Sequence, residues 1–208
     1  MILIPELKTV LILVPRTGSG SLYRAVEKTY PQSMRIYRHM EADGVPAGYD
    51  RWQRIGVVRK PVDRLWSLYN FLRSFDGPHD PAFIKEQRDS VDRPFSEWIV
   101  NNETVFTAPY DRAGGRFFPN FTVRHALPET RKSQFFYLRP DLGTYVWRFE
   151  DLRDLADHLS VELGWHNRTR SAGDNGPPAL TPEAWDHVKR FLAWDLEHTG
   201  PAVIEVAA

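Results

Sequence analysis

The sequence predicts an α/β domain in which helices cover both faces of a central, mainly parallel sheet. Three short apolar runs, at residues 9–14, 54–58 and 145–149, have the length and the β-branched or aromatic content of buried strands. A stretch with helical periodicity follows each run, and this alternation is typical of parallel sheets between two layers of helices. The length of the chain predicts a single domain over residues 1–208.

The composition excludes several kinds of protein and site. Lys plus Arg number 27 and Asp plus Glu number 27, so no global field draws the chain onto nucleic acid or membrane. Cysteine is absent, and the seven histidines show no HExxH pattern or paired spacing, so we expect no metal site. No apolar run approaches the ~18–20 residues of a membrane span, and the first residues lack a secretory pattern. We therefore expect a cytoplasmic protein.

The first predicted strand leads into a loop rich in glycine and hydroxyl residues. Residues 15–22 read Pro-Arg-Thr-Gly-Ser-Gly-Ser-Leu, and a helical pattern follows. A strand–loop–helix segment of this kind aims backbone N–H groups at an anion, and its glycines permit close approach. The alternative is an ordinary strand-to-helix turn with a serine cap. The predicted anion-binding residues are Arg16, Thr17, Gly18, Ser19, Gly20, Ser21 and Leu22.

The loop is P-loop-like in outline but departs from the Walker A motif of NTPases. That motif ends in Gly-Lys-Ser/Thr, whose lysine binds the β/γ-phosphates and whose hydroxyl binds magnesium. Here Gly20 is followed by Ser21 and Leu22, and the basic residue, Arg16, precedes the glycines. The interpretation as a P-loop kinase or other NTPase therefore lacks its main motif and stays only as an alternative.

The second predicted strand ends in a similar way. It runs into Arg59, Lys60 and Pro61, and a proline suits the first position of a helix, here predicted over residues 62–75. Ligands of parallel sheets bind beyond the carboxyl ends of the strands, which is where Arg16 and Arg59 both lie. The other predicted elements are a surface excursion at 77–92, helices at 95–100, 150–163 and 181–197, and a short strand at 135–138.

On the evidence of these two strand-to-helix junctions, the chain resembles the PAPS-dependent sulfotransferases, particularly carbohydrate members such as the uronyl 2-O-sulfotransferases. Residues 15–22 are similar to the 5′-phosphosulfate loop of that family. Residues 59–69 are similar to its 3′-phosphate motif, an arginine at a strand end and a serine eight positions later. Residues 133–136, Ser-Gln-Phe-Phe, and 148–152, Arg-Phe-Glu-Asp-Leu, resemble two further landmarks.

The resemblance implies a P-loop-like, three-layer α/β/α fold and transfer of a sulfuryl group from PAPS to an acceptor hydroxyl, with PAP as product and no metal. It implies that Arg59 and Ser67 bind the 3′-phosphate, a dianion that suits a guanidinium fork and a hydroxyl. Two positions depart from the family pattern. Arg16 stands where the family has the lysine that contacts the bridging oxygen, and Gly20 replaces a hydroxyl residue. Arginine keeps the charge but cannot give up a proton.

The predicted catalytic base is His39. It lies between the loop and Arg59, about twenty residues before that arginine, as does the catalytic histidine of the 2-O-sulfotransferases. Imidazole suits proton transfer near neutral pH. The alternative is an ordinary loop histidine, in which case Glu41, Asp43 or His125 could serve as the base.

The acceptor is expected to be a carbohydrate hydroxyl, because the most similar family members use one, with phenolic, steroid and lipid acceptors left open. A non-catalytic descendant of the fold that binds nucleotide or glycan is a further alternative. A groove for an anionic sugar, or else a solvated face, is predicted at Arg73, Lys85, Arg88, Arg93 and Trp98.

Overall fold

The structure is a computed structural model that describes residues 1–36, 39–76, 81–89, 91–101, 133–164 and 176–200. The chain divides into two compact units. The described residues of the first unit are 1–36, 39–59 and 134–164, and those of the second are 60–76, 81–89, 91–101, 133 and 176–200. No helix in these ranges is long and apolar enough to cross a membrane. The single domain expected over residues 1–208 stays a prediction.

A sheet of five strands forms the centre of the first unit. The strands are β1 (Ile2–Ile4), β2 (Thr9–Ile12), β3 (Met34–Arg35), β4 (Gln53–Val58) and β5 (Thr144–Arg148). Their order across the sheet is β3-β1-β2-β4-β5. β4 pairs in parallel with both β2 and β5, whereas β1 pairs antiparallel with both β2 and β3.

The α/β class is therefore confirmed, and the sheet is mixed, with a parallel part of three strands and an antiparallel part beside it. The three strands predicted from apolar runs, β2, β4 and β5, form its parallel part. The antiparallel part begins with β1, which a short 3-10 turn at Pro5–Leu7 connects to β2. Lys8 closes that turn in a left-handed conformation, with φ of 48°. A connection this short permits only an antiparallel pair, and a strand of three residues has too few positions to show a period.

Helices occur in both units. Those in the described part of the chain are α1 (Ser19–Thr29), α2 (Pro61–Arg73), α3 (Pro81–Asp89), α4 (Phe95–Asn101), α5 (Phe135–Leu138), α6 (Leu152–His158), α7 (Pro182–Phe191) and α8 (Ala193–Thr199). Two predicted helix starts are confirmed. Pro61 begins α2, and the Thr181 hydroxyl caps α7 by accepting a hydrogen bond of 3.3 Å from the Ala184 N–H.

Two predictions for the first unit are wrong. Residues 135–138 form α5 and not a strand, because Arg139 takes a left-handed conformation and its N–H closes the turn on the Phe135 carbonyl at 2.7 Å. The helix predicted to run to residue 163 and to close at Gly164 ends at His158. Ser160 takes the left-handed position there, and the Tyr30 hydroxyl satisfies the Leu159 carbonyl at 2.6 Å.

Two further differences lie in the second unit. The predicted surface excursion contains α3, whose first residue is Pro81 and whose exposed face carries an ion pair between Lys85 and Asp89 one turn apart. The last predicted helix is interrupted at Leu192, which separates α7 from α8. Within this unit α2 contacts α3, α4 and α8, and α4 contacts α7.

The core of the first unit brings α1 and α6 against the sheet. Buried side chains from β2, α1 and α6, including Leu11, Val26 and Leu155, form one apolar cluster. α5 also contacts β4, where a Cβ at Gly56 would overlap the side chain of Leu138. This packing fixes the loop between β2 and α1 and the end of β4 within one core.

Candidate functional site

The loop between β2 and α1 is shaped by its own residues. The Thr17 hydroxyl is buried and donates a hydrogen bond of 3.0 Å to the Val14 carbonyl. Arg16 and Gly18 both have positive φ, 66° and 76°. A left-handed conformation is uncommon for a residue other than glycine and concentrates at functional sites, which makes Arg16 a notable position.

Gly18 meets two requirements at once. It occupies the left-handed N-cap position of α1, and it lies against side chains from the segment after β5. A Cβ at this position would come within 2.7 Å of Leu152 Cδ1 and 3.4 Å of the Phe149 ring. Both the backbone conformation and the space therefore require glycine.

The start of α1 determines which backbone groups an anion could use. The N–H groups of Ser21 and Leu22 donate to the Gly18 carbonyl at 3.0 and 3.1 Å, and the Leu22 side chain is part of the core. The earlier N–H groups of a helix have no intrahelical acceptor. The candidate donors are therefore those of Gly18, Ser19 and Gly20, and Leu22, predicted as a ligand residue, serves the core instead.

Arg59 lies beside this loop, so the structure brings together the two arginines that the sequence predicted to be neighbours. Its Nη1 donates a hydrogen bond of 3.2 Å to the Arg16 carbonyl. Its guanidinium carbon lies 4.5 Å from the centre of the Phe149 ring, within the range of a cation–π contact. The half-buried Arg59 side chain is thus held between a ring on one side and the loop backbone on another.

The backbone of Arg59 is held by a third group, the side chain of Gln134. The Arg59 N–H donates to Gln134 Oε1 at 2.8 Å, and Gln134 Nε2 donates to the Arg59 carbonyl at 2.7 Å. Gln134 has no exposed surface. The two hydrogen bonds form a closed pair like those between adjacent strands.

His39 is tied to the same end of β2. Its Nδ1 lies 2.7 Å from the Leu13 carbonyl, one residue beyond the strand. A carbonyl oxygen can only accept, so Nδ1 carries the hydrogen, and Nε2 is the acceptor nitrogen of the neutral ring. A ring oriented by a backbone carbonyl in this way is suited to receive a proton at Nε2.

The alternative base Asp43 has a structural partner. Arg139 Nη1 contacts an Asp43 carboxylate oxygen at 3.2 Å, and its Nε and Nη2 donate to the two carboxylate oxygens of Asp141 at 2.8 and 2.6 Å. The Arg139 hydrogen bond holds the pKa of the Asp141 carboxyl below its usual value. His39 is therefore the stronger candidate, while Glu41 stays an alternative and His125 lies outside the described residues.

Other predicted positions belong to the second unit. Ser67 is half-buried on α2. Trp98 is fully buried and stacks with Phe95 at 5.9 Å between ring centres, so it belongs to the core and cannot line a sugar groove. Of the basic residues, Lys85 is paired with Asp89, and Arg88 Nε donates to the Phe75 carbonyl at 2.8 Å. The remaining ones, Arg73 and Arg93, are exposed and half-buried respectively.

Three contributors had no role assigned from the sequence. Gln134 and Phe149 lie in the two segments that resemble family landmarks. The sequence therefore points to these segments, but it does not indicate a role for either residue, because the contacts that they make are not visible in it. Arg139 gave no sequence signal, because its partners are set by the conformation at the end of α5.

Known proteins do not supply a family for this arrangement. Comparison of the chain with protein-family models, with curated proteins and with solved structures gives no match. The function must therefore be argued from the cationic end of β2 and β4 and the histidine beside it.

Proposed function

We propose that the chain is a PAPS-dependent sulfotransferase that transfers a sulfuryl group to an acceptor hydroxyl, on a carbohydrate. The single observation that carries the proposal is the contact between Arg59 and the Arg16 carbonyl, at 3.2 Å. This contact supports one anion site that includes both arginines, as a nucleotide with phosphates at both its 3′ and 5′ positions would require. A P-loop-like, three-layer arrangement and a cytoplasmic location are part of the proposal.

The donor half of the proposal follows from charge and backbone geometry. The N–H groups at the start of α1 and the guanidinium of Arg16 suit the 5′-phosphosulfate. Arg59 suits the 3′-phosphate, because a guanidinium can form two parallel hydrogen bonds to phosphoryl oxygens. The part of Ser67 in this contact rests on the family resemblance alone. No metal is required by this donor set, since both phosphate groups face fixed cations.

The chemical step is an in-line displacement at sulfur. The acceptor oxygen forms a bond to sulfur while the bond from sulfur to the bridging oxygen breaks, and PAP leaves with that electron pair. His39 receives the acceptor proton at Nε2, and its Nδ1 hydrogen bond to Leu13 is strengthened as the ring becomes positive. Arg16 stabilises the charge that develops on the leaving phosphate and, being an arginine, donates no proton to it.

The experiment that tests this function is label transfer from radiolabelled PAPS to a panel of uronic-acid-containing and neutral glycans, with phenol, steroid and lipid hydroxyls included. The proposal predicts labelled product with at least one glycan and equal yield with and without a chelator. Failure of every acceptor, in a protein shown to bind PAP, would contradict transfer while leaving the binding site in place.

A second candidate, a nucleotide-binding module without transferase activity, is favoured by two features of the loop. Gly20 removes a hydroxyl donor to the 5′-phosphate, and Arg16 replaces a lysine that could adjust its protonation. Both changes affect turnover more than binding. Binding of PAP together with no label transfer would identify this candidate, whereas magnesium-dependent binding of ATP would identify an NTPase.

A further inference from the structure

The end of β4 presents two backbone groups that its neighbouring strands do not reach. The parallel register with β2 extends to Gly56, and the register with β5 extends to Val58. Arg59 is the next residue, and its N–H and carbonyl lie beyond both ladders. Buried backbone groups need partners, and without them the conformation at Arg59 would be poorly determined.

The carboxamide of Gln134 supplies both partners. It has the donor and the acceptor of a peptide group, and it contacts the Arg59 N–H and carbonyl at 2.8 and 2.7 Å. Gln134 is fully buried at the start of α5, which itself contacts β4. A buried helical turn thus places one side chain where a further strand residue would otherwise lie.

We propose that Gln134 is a positioning residue for the 3′-phosphate of the nucleotide. By fixing the backbone at Arg59, it sets the direction in which that side chain leaves the sheet, and so holds the guanidinium between the Phe149 ring and the Arg16 carbonyl. The inference rests on the proposed function, because it assigns the 3′-phosphate to Arg59. Gln134 itself does not touch the ligand.

The chemistry of the contact selects the informative variants. Gln134→Met keeps the length of the side chain but removes both hydrogen bonds. Gln134→Glu keeps an acceptor for the Arg59 N–H, but its carboxylate cannot donate to the Arg59 carbonyl. When that carboxyl is protonated, it donates and accepts as the amide does. Gln53→Met is the matched control, because Gln53 is an exposed glutamine at the opposite end of the same strand.

The experiment measures, by calorimetry, the Kd values of adenosine 3′,5′-bisphosphate and adenosine 5′-phosphate for each protein. We expect Gln134→Met to reduce the preference for the bisphosphate by about tenfold while changing the Kd of the monophosphate by less than about threefold. Gln53→Met should keep the wild-type preference. Equal losses for both ligands in Gln134→Met, or an unchanged preference, would overturn the positioning role.

Gln134→Glu provides a readout that a merely structural role would not change. Relative to wild type at the same pH, its preference for the bisphosphate should be weak near about pH 8 and should recover toward about pH 5 as the buried carboxyl becomes protonated. This comparison decides the inference even if Gln134→Met does not fold. If the preference of Gln134→Glu for the bisphosphate over the monophosphate, relative to wild type, does not vary with pH, the result would count against the positioning role.

The two proposals fail in different ways. Wild-type protein that shows no preference for the bisphosphate would overturn the proposed function, and the positioning role with it. A wild-type preference that survives in Gln134→Met, and in Gln134→Glu throughout the pH range, would overturn only the role of Gln134.

Discussion

Two neighbouring parallel strands, β2 and β4, end in cationic segments that are shaped in opposite ways. After β2, the loop is shaped by nearby residues, through the left-handed Gly18 and the Thr17 hydroxyl bonded to Val14. After β4, Arg59 is held by Gln134, which lies 75 positions further along the chain. The conformation of the first end is set mainly by its own residues, with Leu152 and Phe149 packed against Gly18, whereas the backbone at the second end depends on a distant side chain.

The two strand ends are also proposed to have different roles, one in the chemical step and one in binding. The segment after β2 contains the groups proposed for the chemical step, Arg16 and His39, whereas Arg59 at the end of β4 is proposed only to bind. Arg139, which follows α5, contacts Asp43, four residues after His39. This contact connects the segment that follows α5 to the segment that contains His39. A substitution after β2 should therefore affect transfer or stability, and a substitution at Arg59 should affect nucleotide binding. A substitution at the contact made by Arg139 should have only a small effect on stability.

The largest expected effect is on the chemical step at the β2 end. His39→Ala should reduce the transfer rate by about 10²–10⁴-fold, because the acceptor proton loses its base. The Kd of PAP should stay within about threefold of wild type, since the proposal assigns the phosphates to Arg16, Arg59 and the backbone at the start of α1, and His39 contacts the Leu13 carbonyl. His158→Ala, an exposed histidine of the same unit, is the control. Near wild-type turnover in His39→Ala would remove this residue from the mechanism.

The next effect is on stability at the same end. Gly18→Ala should lower the free energy of unfolding by about 2–4 kcal/mol, the sum of left-handed strain and of crowding against Leu152. Gly48→Ala is the matched control, because Gly48 has φ of 94° and no atom of the described residues lies within 4 Å of the added Cβ, so only strain of about 1–2 kcal/mol is expected. Urea unfolding measures both. Equal losses in the two variants would show that the contact with Leu152 adds nothing.

A smaller effect is expected for binding at the β4 end. Arg59→Ala should weaken binding of adenosine 3′,5′-bisphosphate by at least about tenfold, or about 1.4 kcal/mol, because the 3′-phosphate loses its guanidinium. Adenosine 5′-phosphate should lose far less affinity, since it has no group at that position. Calorimetry that gives equal losses for the two ligands would contradict the assignment of the 3′-phosphate to Arg59.

The smallest effect concerns the Arg139 connection. The pKa of Asp141 is lowered in the folded protein, so its pairing stabilises the fold above the usual carboxyl range and is lost as pH falls through the folded pKa. Asp141→Asn should therefore cost less than about 1 kcal/mol at neutral pH, because the carboxylate is partly exposed. Urea unfolding from about pH 7 to about pH 3 should show the difference from wild type becoming smaller in acid. A difference that grows as pH falls would contradict this pairing.

The same contrast explains how far the sequence predicts the fold. β2, β4 and the start of α2 follow from apolar runs, from the glycine-rich loop and from Pro61, all of which are local signals. Residues 135–138 are an apolar run that suggests a strand, but a run this short does not distinguish strand from helix. Their helical turn depends on the left-handed Arg139, whose partner Asp43 lies 96 positions away in the sequence and is brought to it only in the folded chain.

The candidate site shows the same difference between local signals and tertiary contacts. The sequence predicts Arg16, the glycines and Arg59 as site residues because each follows a strand, and it predicts His39 from the position of the catalytic histidine in the family that the chain resembles. It assigned no role to Gln134, because a side chain that replaces a strand partner cannot be recognised without the contact that it makes. Local geometry was predictable, and its tertiary support was not.

The central claim is that the ends of β2 and β4 form one site for a nucleotide with phosphates at both its 3′ and 5′ positions. The most direct test is calorimetry of the wild-type protein with adenosine 3′,5′-bisphosphate, beside adenosine 5′-phosphate and ATP with magnesium. We expect the bisphosphate to bind at least about tenfold more tightly than the other two ligands, with or without magnesium. Magnesium-dependent binding of ATP, with no measurable binding of the bisphosphate, would contradict it.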